Sequence, residues 1–209
     1  MAEEFDKLTQ EDPAPVQEAP APDTQEKSRP GGELFEWLQM VMACVLAAVV
    51  LFNCFARLTR VDGDSMNNTL ENGELMWVWS LGYEPEQGDI VVLNKTTADI
   101  PGWDGKLAIV KRVIAVGGQT VDIDYGTGVV YVDGQPLDEP YIREEMYRPG
   151  NTFMYQTHWE IPEGSVFVMG DNRNHSTDSR DQRLGPVDEG YILGKAVMAL
   201  WPMSKFGLL

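Results

Sequence analysis

Two residues far apart in the sequence have the types and settings that nucleophilic chemistry needs. Ser65 stands in Val61-Asp62-Gly63-Asp64-Ser65-Met66, a turn-like stretch just after a long apolar segment. Lys111 stands in Leu107-Ala108-Ile109-Val110-Lys111-Arg112-Val113-Ile114-Ala115-Val116, which otherwise reads as a buried strand. A serine hydroxyl is a weak nucleophile until a base removes its proton. A lysine serves as that base only when neutral, and its ordinary pKa of about 10 keeps it charged at neutral pH. Burial in an apolar strand disfavours the ammonium and lowers that pKa. Ser65 and Lys111 are thus a candidate nucleophile and a candidate desolvated base. Each also has a plainer reading, since serines populate turns and strand lysines extend their ammonium to water.

A second polar stretch, Gly170-Asp171-Asn172-Arg173-Asn174-His175-Ser176-Thr177-Asp178-Ser179-Arg180-Asp181, follows a strand directly and contains no apolar residue. As a metal loop it is poor, because Arg173 and Arg180 sit among its carboxylates and the calcium-loop spacing is missing. It reads as a solvated loop or as a buried network in which Asp171 and Asp178 pair with Arg180 and Arg112. Strand alternation puts Lys111 on one face with Ile109 and Val113, and Arg112 on the other.

The elements that must position these groups follow from the rest of the chain. Residues 1–32 are acidic and rich in Pro, Ala and Gln, with little to bury, and read as a disordered tail. Residues 33–58 are an apolar run with no charge between Glu36 and Arg57, long enough for a single membrane-spanning helix. The run begins too late for a removable signal peptide and lacks a small-residue cleavage site. Basic residues do not orient it, because Lys27 and Arg29 before it are matched by Arg57 and Arg60 after it.

Residues 59–209 are mostly β. Strands are expected at 74–80, 88–93, 107–116, 165–169 and 195–200, with a hairpin from 120–124 and 129–134 and an irregular stretch over 138–160. Together they predict a partly closed antiparallel sheet. A net charge of −17 argues against nucleic acid as a partner. Both cysteines, Cys44 and Cys54, fall in the apolar run. At that spacing on one helix they are ~15 Å apart, too far for a disulfide.

Four ordered blocks carry a more specific signal: Gly63-Asp64-Ser65-Met66-Asn67-Asn68-Thr69-Leu70, Gly88-Asp89-Ile90-Val91-Val92, Lys111-Arg112-Val113-Ile114-Ala115-Val116-Gly117-Gly118, and Gly170-Asp171-Asn172-Arg173 through Ser176-Thr177-Asp178-Ser179-Arg180. From about residue 35 to Trp201-Pro202 the chain resembles bacterial type I signal peptidases in their compact, Gram-positive-like form. The resemblance implies a Ser/Lys endopeptidase that cuts signal peptides from secretory precursors after small residues. Ser65 is then the nucleophile, Lys111 the general base and Ser176 the serine that orients the lysine. It implies that Asp178 pairs with Arg112 and that Asp171 pairs with Arg180. Substrate pockets fall to Val61, Met66, Leu70, Ile109 and Val110. No cofactor or metal is implied. The partners are signal peptides and the lipid bilayer, with the N-terminus cytoplasmic and the catalytic domain outside the cell membrane.

The departures are local. Asn68 stands where the family often has proline, and His175 where it often has asparagine. Gly63 stands where some members place an oxyanion-hole serine, which leaves the Ser65 N–H and an unidentified second donor. Three rival readings remain open. One is a Ser65/His175/Asp178 triad. Another is a self-cleaving repressor, which needs a DNA-binding segment where this chain has an apolar span. The third is an inactive membrane-tethered binding module.

Overall fold

The computed structural model describes residues 32–94 and 108–209, and of residues 51–56 it describes the backbone alone. The acidic tail expected over residues 1–32 falls outside these except for Gly32, as does the start of the Lys111 segment. By its internal contacts the chain divides into Met1–Cys44 and Val45–Leu209.

Helix α1 runs over Gly32–Phe55. Its first part, Gly32–Val50, is long and apolar enough to cross a membrane, and none of it is buried. A soluble helix with Leu, Val and Phe on every side would have to bury them to be stable. Cys44 is a free thiol. The helix stops at Phe55 rather than 58, because Ala56–Arg60 forms a strand, β1. The sequence reading missed this strand inside the tail of the apolar run.

From β1 onward the chain is β. The strands are β2 (Leu75–Trp79), β3 (Ile90–Leu93), β4 (Ile109–Val116), β5 (Thr120–Asp124), β6 (Val129–Val132), β7 (Gln135–Pro136), β8 (His158–Glu160), β9 (Ser165–Met169), β10 (Val187–Asp188), β11 (Ile192–Trp201) and β12 (Gly207–Leu208). Valine, isoleucine and aromatic residues dominate them, as half-buried pleated surfaces require. A curled eight-stranded sheet has the order β1-β2-β11-β3-β4-β9-β10, with β12 beside β11, and a four-stranded sheet has the order β7-β6-β5-β8. All pairings are antiparallel. The fold is therefore the mostly β, curled antiparallel sheet read from the sequence. The β5–β6 hairpin forms with Val121 opposite Val132. β8 is a second missed strand, a short piece inside the stretch read as irregular. Its Trp159 pairs with Val121 and stacks tilted on Phe167 of β9, tying the small sheet to the large one.

Two apolar clusters bear on the candidate site. One joins Val61, Met66 and Leu70 to Met76, Val78, Ile90, Val92 and Val110. The other sets Val91, Leu93 and Val113 against Val166 and Val168. Burying each such side chain stabilises the fold by roughly 1.5–3 kcal/mol. β4 lies between β3 and β9, so the strand that carries Lys111 is clamped by ladders on both edges.

Candidate active site

Ser65 lies in the loop between β1 and β2, and that loop is closed at its base. Val61 N–H donates to Glu74 O at 2.8 Å, and Gly73 N–H donates to Val61 O at 2.8 Å. Within it, Leu70 N–H donates to Met66 O at 2.9 Å, and the Leu70 side chain is fully buried beneath the turn. The peptide between Asn67 and Asn68 is cis, at the position where the family pattern often carries proline.

The far side of the loop is pinned to the polar stretch after β9. Asn172 N–H donates to Ser65 O at 3.0 Å, Asn172 Nδ2 donates to Asp64 O at 2.9 Å, and Thr69 Oγ1 donates to Asp171 Oδ2 at 2.5 Å. Gly170 makes this approach possible. A Cβ there would collide with both the Ser65 carbonyl oxygen and the Ser176 side chain, and only glycine lacks one.

The loop delivers the Ser65 hydroxyl to Lys111. Lys111 Nζ lies 2.6 Å from Ser65 Oγ and donates to Val110 O at 3.0 Å, and the residue is 3 % exposed. Ser65 itself is half-buried and faces a cleft. Of the expected pocket residues, Val61, Met66, Ile109 and Val110 line that cleft with both members of the pair. Leu70 does not, because it is packed under the loop in the Val61–Met66 cluster and supports the wall from behind. The Gly63 N–H is spent on Asn72 Oδ1 at 3.1 Å, so it is not the second oxyanion donor in this state.

Around the pair the charged residues are buried and paired, but the partners are exchanged relative to expectation. Arg112 grips Asp171 with two hydrogen bonds, Nε to Oδ1 at 2.9 Å and Nη2 to Oδ2 at 2.7 Å, and donates to Gly88 O at 2.8 Å. Arg180 grips Asp178, Nε to Oδ1 at 2.7 Å and Nη2 to Oδ2 at 2.9 Å. The expected Arg112–Asp178 and Arg180–Asp171 pairs are thus replaced by Arg112–Asp171 and Arg180–Asp178. The reason is local: Asp178 is two residues from Arg180, whereas Asp171 follows Gly170 at the end of β9, beside the Arg112–Met169 register.

Burial alone would push the Asp178 carboxyl up, but the Arg180 guanidinium and the Gly170 N–H offset this and hold it below the ordinary carboxylate range. Arg180 is shifted upward, with Asp178 overcoming the cost of burial. Asp171, Asp178 and Arg180 are each at most 1 % exposed.

Ser176 sits beside Gly170 with its Oγ buried and close enough to Asp178 to help hold that carboxyl low, and it makes no hydrogen bond to Lys111 in this state. His175 is exposed in the short turn Arg173–His175, and Asp178 is occupied by Arg180, so no triad with Ser65 is assembled.

Sequence reasoning missed several supports. Arg173 is fully buried and forked onto Glu139, and Tyr141 lies under Arg112 with its ring centroid 4.0 Å from the guanidinium carbon. Nothing in the local pattern around Glu139 announces a partner 34 residues away. Thr69 and Asn172 stood inside recognised blocks, and their capacity to donate was the available signal.

A hydroxyl held against a buried amine in a cleft puts a nucleophile type beside a base type, the pairing that serine hydrolysis needs. Comparison with known proteins agrees. A family model described as signal peptidase, peptidase S26, matches residues 34–201. The probable signal peptidase I-1 of Synechocystis sp. is 37 % identical over 178 residues, 83 % of this chain and 86 % of that protein. The signal peptidase I of Bacillus licheniformis is 32 % identical over 190 residues, 87 % of this chain and 97 % of its own length. The signal peptidase IB of Staphylococcus aureus is 31 % identical over 189 residues, 83 % and 93 % respectively. The chain belongs to the signal peptidase family, peptidase S26, and is a serine endopeptidase of that family.

Proposed function

We propose that the protein removes signal peptides from exported precursors, cutting after small residues, with Ser65 as nucleophile and Lys111 as general base. The observation that carries this reading is the 2.6 Å approach of Lys111 Nζ to Ser65 Oγ in a setting that leaves Lys111 3 % exposed. Burial disfavours the ammonium, so the amine is neutral when it meets the hydroxyl. Lys111 takes the Ser65 proton, the alkoxide attacks the carbonyl carbon of the scissile bond, and the oxyanion collapses to an acyl-enzyme. The ammonium returns its proton to the leaving amine. The neutral amine then draws a proton from water, the hydroxide attacks the ester carbonyl, and the ammonium returns that proton to Ser65 Oγ as the new carboxylate product leaves.

Ser176 supports the second half of this cycle. The family resemblance gives its hydroxyl the task of orienting the lysine, and what supports this is that the hydroxyl and the Ser65 carbonyl oxygen crowd the same space above Gly170. Val61, Met66, Ile109 and Val110 form the apolar walls that admit small side chains. The two ion pairs fix the frame: Arg112–Asp171 ties β4 to the serine loop through Thr69, and Arg180–Asp178 ties the stretch after β9 to itself.

The helix Gly32–Phe55 anchors the enzyme in the cell membrane, the residues before it form a cytoplasmic tail, and residues 56–209, beginning with β1, form the extracytoplasmic peptidase domain. This orientation follows from the chemistry, since precursors are cut on the far side of the membrane. Anchoring also concentrates the site where the cleavage point emerges.

The test is to incubate the detergent-solubilised full chain with a precursor carrying Ala-X-Ala before its cleavage point and read the products by mass. Cleavage after the second alanine that disappears in Ser65→Ala is expected. Folded protein that gives no product at neutral to mildly alkaline pH overturns the proposal in favour of a tethered binding module.

A further inference from the structure

The serine loop has a support that lies past residue 201, the last that the family model matches. After β11 the chain turns through Met203–Lys205 and returns as β12 along β11. Lys205 Nζ then reaches the base of the serine loop, 2.7 Å from Glu71 Oε1 and 3.1 Å from Glu74 Oε1. Leu209 packs on the cluster that contains Val61, Met66 and Leu70, and its N–H donates to Val197 O at 3.2 Å. Two kinds of contact, one ionic and one apolar, thus lead from the same short segment to the same loop.

We infer that Lys205 is a positioning residue for catalysis, acting through Glu74 on the loop that presents Ser65. Glu71 is 59 % exposed in its side chain, and a pair with it alone contributes little. Glu74 is different. It is 3 % exposed, and apart from Lys205 its carboxylate oxygens have no polar partner among the described residues, so Lys205 supplies the charge that balances it. A buried carboxylate without its cation is strongly unfavourable, and the relief available is movement of Glu74 toward water. That movement pulls on the closure of the loop, because Glu74 O accepts from Val61 N–H and Gly73 N–H donates to Val61 O. Ser65 is four residues further on, and Gly63 is held by Asn72 in the same turn. Glu71, followed by Glu74 after the opposing cost of burial, holds the Lys205 ammonium above its ordinary pKa.

The inference rests on Ser65 as the nucleophile. Its test measures kcat and KM on an Ala-X-Ala peptide for the full chain and for Lys205→Ala, Lys205→Arg, Glu74→Gln and Glu74→Gln/Lys205→Ala. Lys205→Ala is expected to lower kcat about tenfold with KM nearly unchanged, short of the ~10²-fold that a 1 Å misplacement can cost. Lys205→Arg should restore kcat, and in the Glu74→Gln background the loss of Lys205 should matter little. Should Lys205→Ala fail to fold, the double variant is expected to fold and cleave, since it holds no uncompensated buried charge. An unchanged kcat in folded Lys205→Ala, an equal loss in both backgrounds, no rescue by arginine, or a double variant that also fails overturns the inference. Ser65→Ala that still cleaves would instead sink the nucleophile assignment.

Discussion

Adjacent on β4, Lys111 and Arg112 are both basic residues and are held in different ways. Arg112 is forked onto a fully buried carboxylate, capped by the Gly88 carbonyl and stacked on Tyr141. Lys111 meets a neutral hydroxyl and a backbone carbonyl. A guanidinium stays charged at any pH the fold survives, and its planar fork suits a carboxylate. An ammonium on a flexible stem gives up its proton when desolvated. Arginine therefore suits the frame, and lysine suits the position that must exchange protons.

The largest expected effect comes from erasing that difference. In Lys111→Arg the side chain carries a permanent positive charge and has no capacity to act as a base. Activity should fall by ~10⁴-fold or more, comparable with losing a member of a coupled catalytic unit in other serine proteases. Thermal unfolding and cleavage are measured together, so that a folding defect is separated from a chemical one. Arginine at 111 with appreciable cleavage in a folded enzyme would break the comparison, because a group that stays protonated would then be serving as the base.

The frame is sharpened by the exchanged ion pairs. Arg112→Ala leaves Asp171, at 0 % exposure, without its cation, a loss of about 3–5 kcal/mol when one member of a buried pair is removed. Denaturant unfolding of a double-mutant cycle should give strong coupling between Arg112 and Asp171 and almost none between Arg112 and Asp178. The reverse pattern would restore the pairing that the family resemblance suggested.

This exchange marks where sequence reading stops. The Gly/Asp turn and the apolar strand marked Ser65 and Lys111 as candidates, and the four ordered family blocks singled them out. The strands rich in Val and other apolar residues, β3, β4 and β9, were legible from composition. The partner of each arginine was not, because two carboxylates and two guanidiniums of equal chemistry admit two pairings and only the chain path chooses. Leu70 was placed with the pocket by the family resemblance alone, which does not say whether an apolar residue of the serine loop lines the cleft or underlies it. The helical hydrogen bond from Leu70 N–H to Met66 O turns it under. β1 hid behind the apolar run, since Ala56–Arg60 becomes a strand only by pairing with β2.

The smallest effect separates the two roles by pH. Asp178 is held below its ordinary pKa by Arg180 and the Gly170 N–H against the cost of burial. A carboxyl depressed in the folded state stabilises the fold while pH is above its unfolded value, about 3.9, and that contribution fades as pH falls through the folded value. Asp181 shifts the same way, with Arg183 overcoming burial, and adds to the same window. Stability should therefore hold between pH 7 and 5 and decline in acid below about 4. The lysine works in the other direction and elsewhere on the scale: the neutral amine that the mechanism requires accumulates as pH rises, so cleavage should increase from neutral to mildly alkaline pH while Tm stays level. Measured side by side, Tm and cleavage rate should change in separate windows. A Tm that climbs in step with activity above pH 7 would mean that the fold, and not the Lys111 proton, sets the rate.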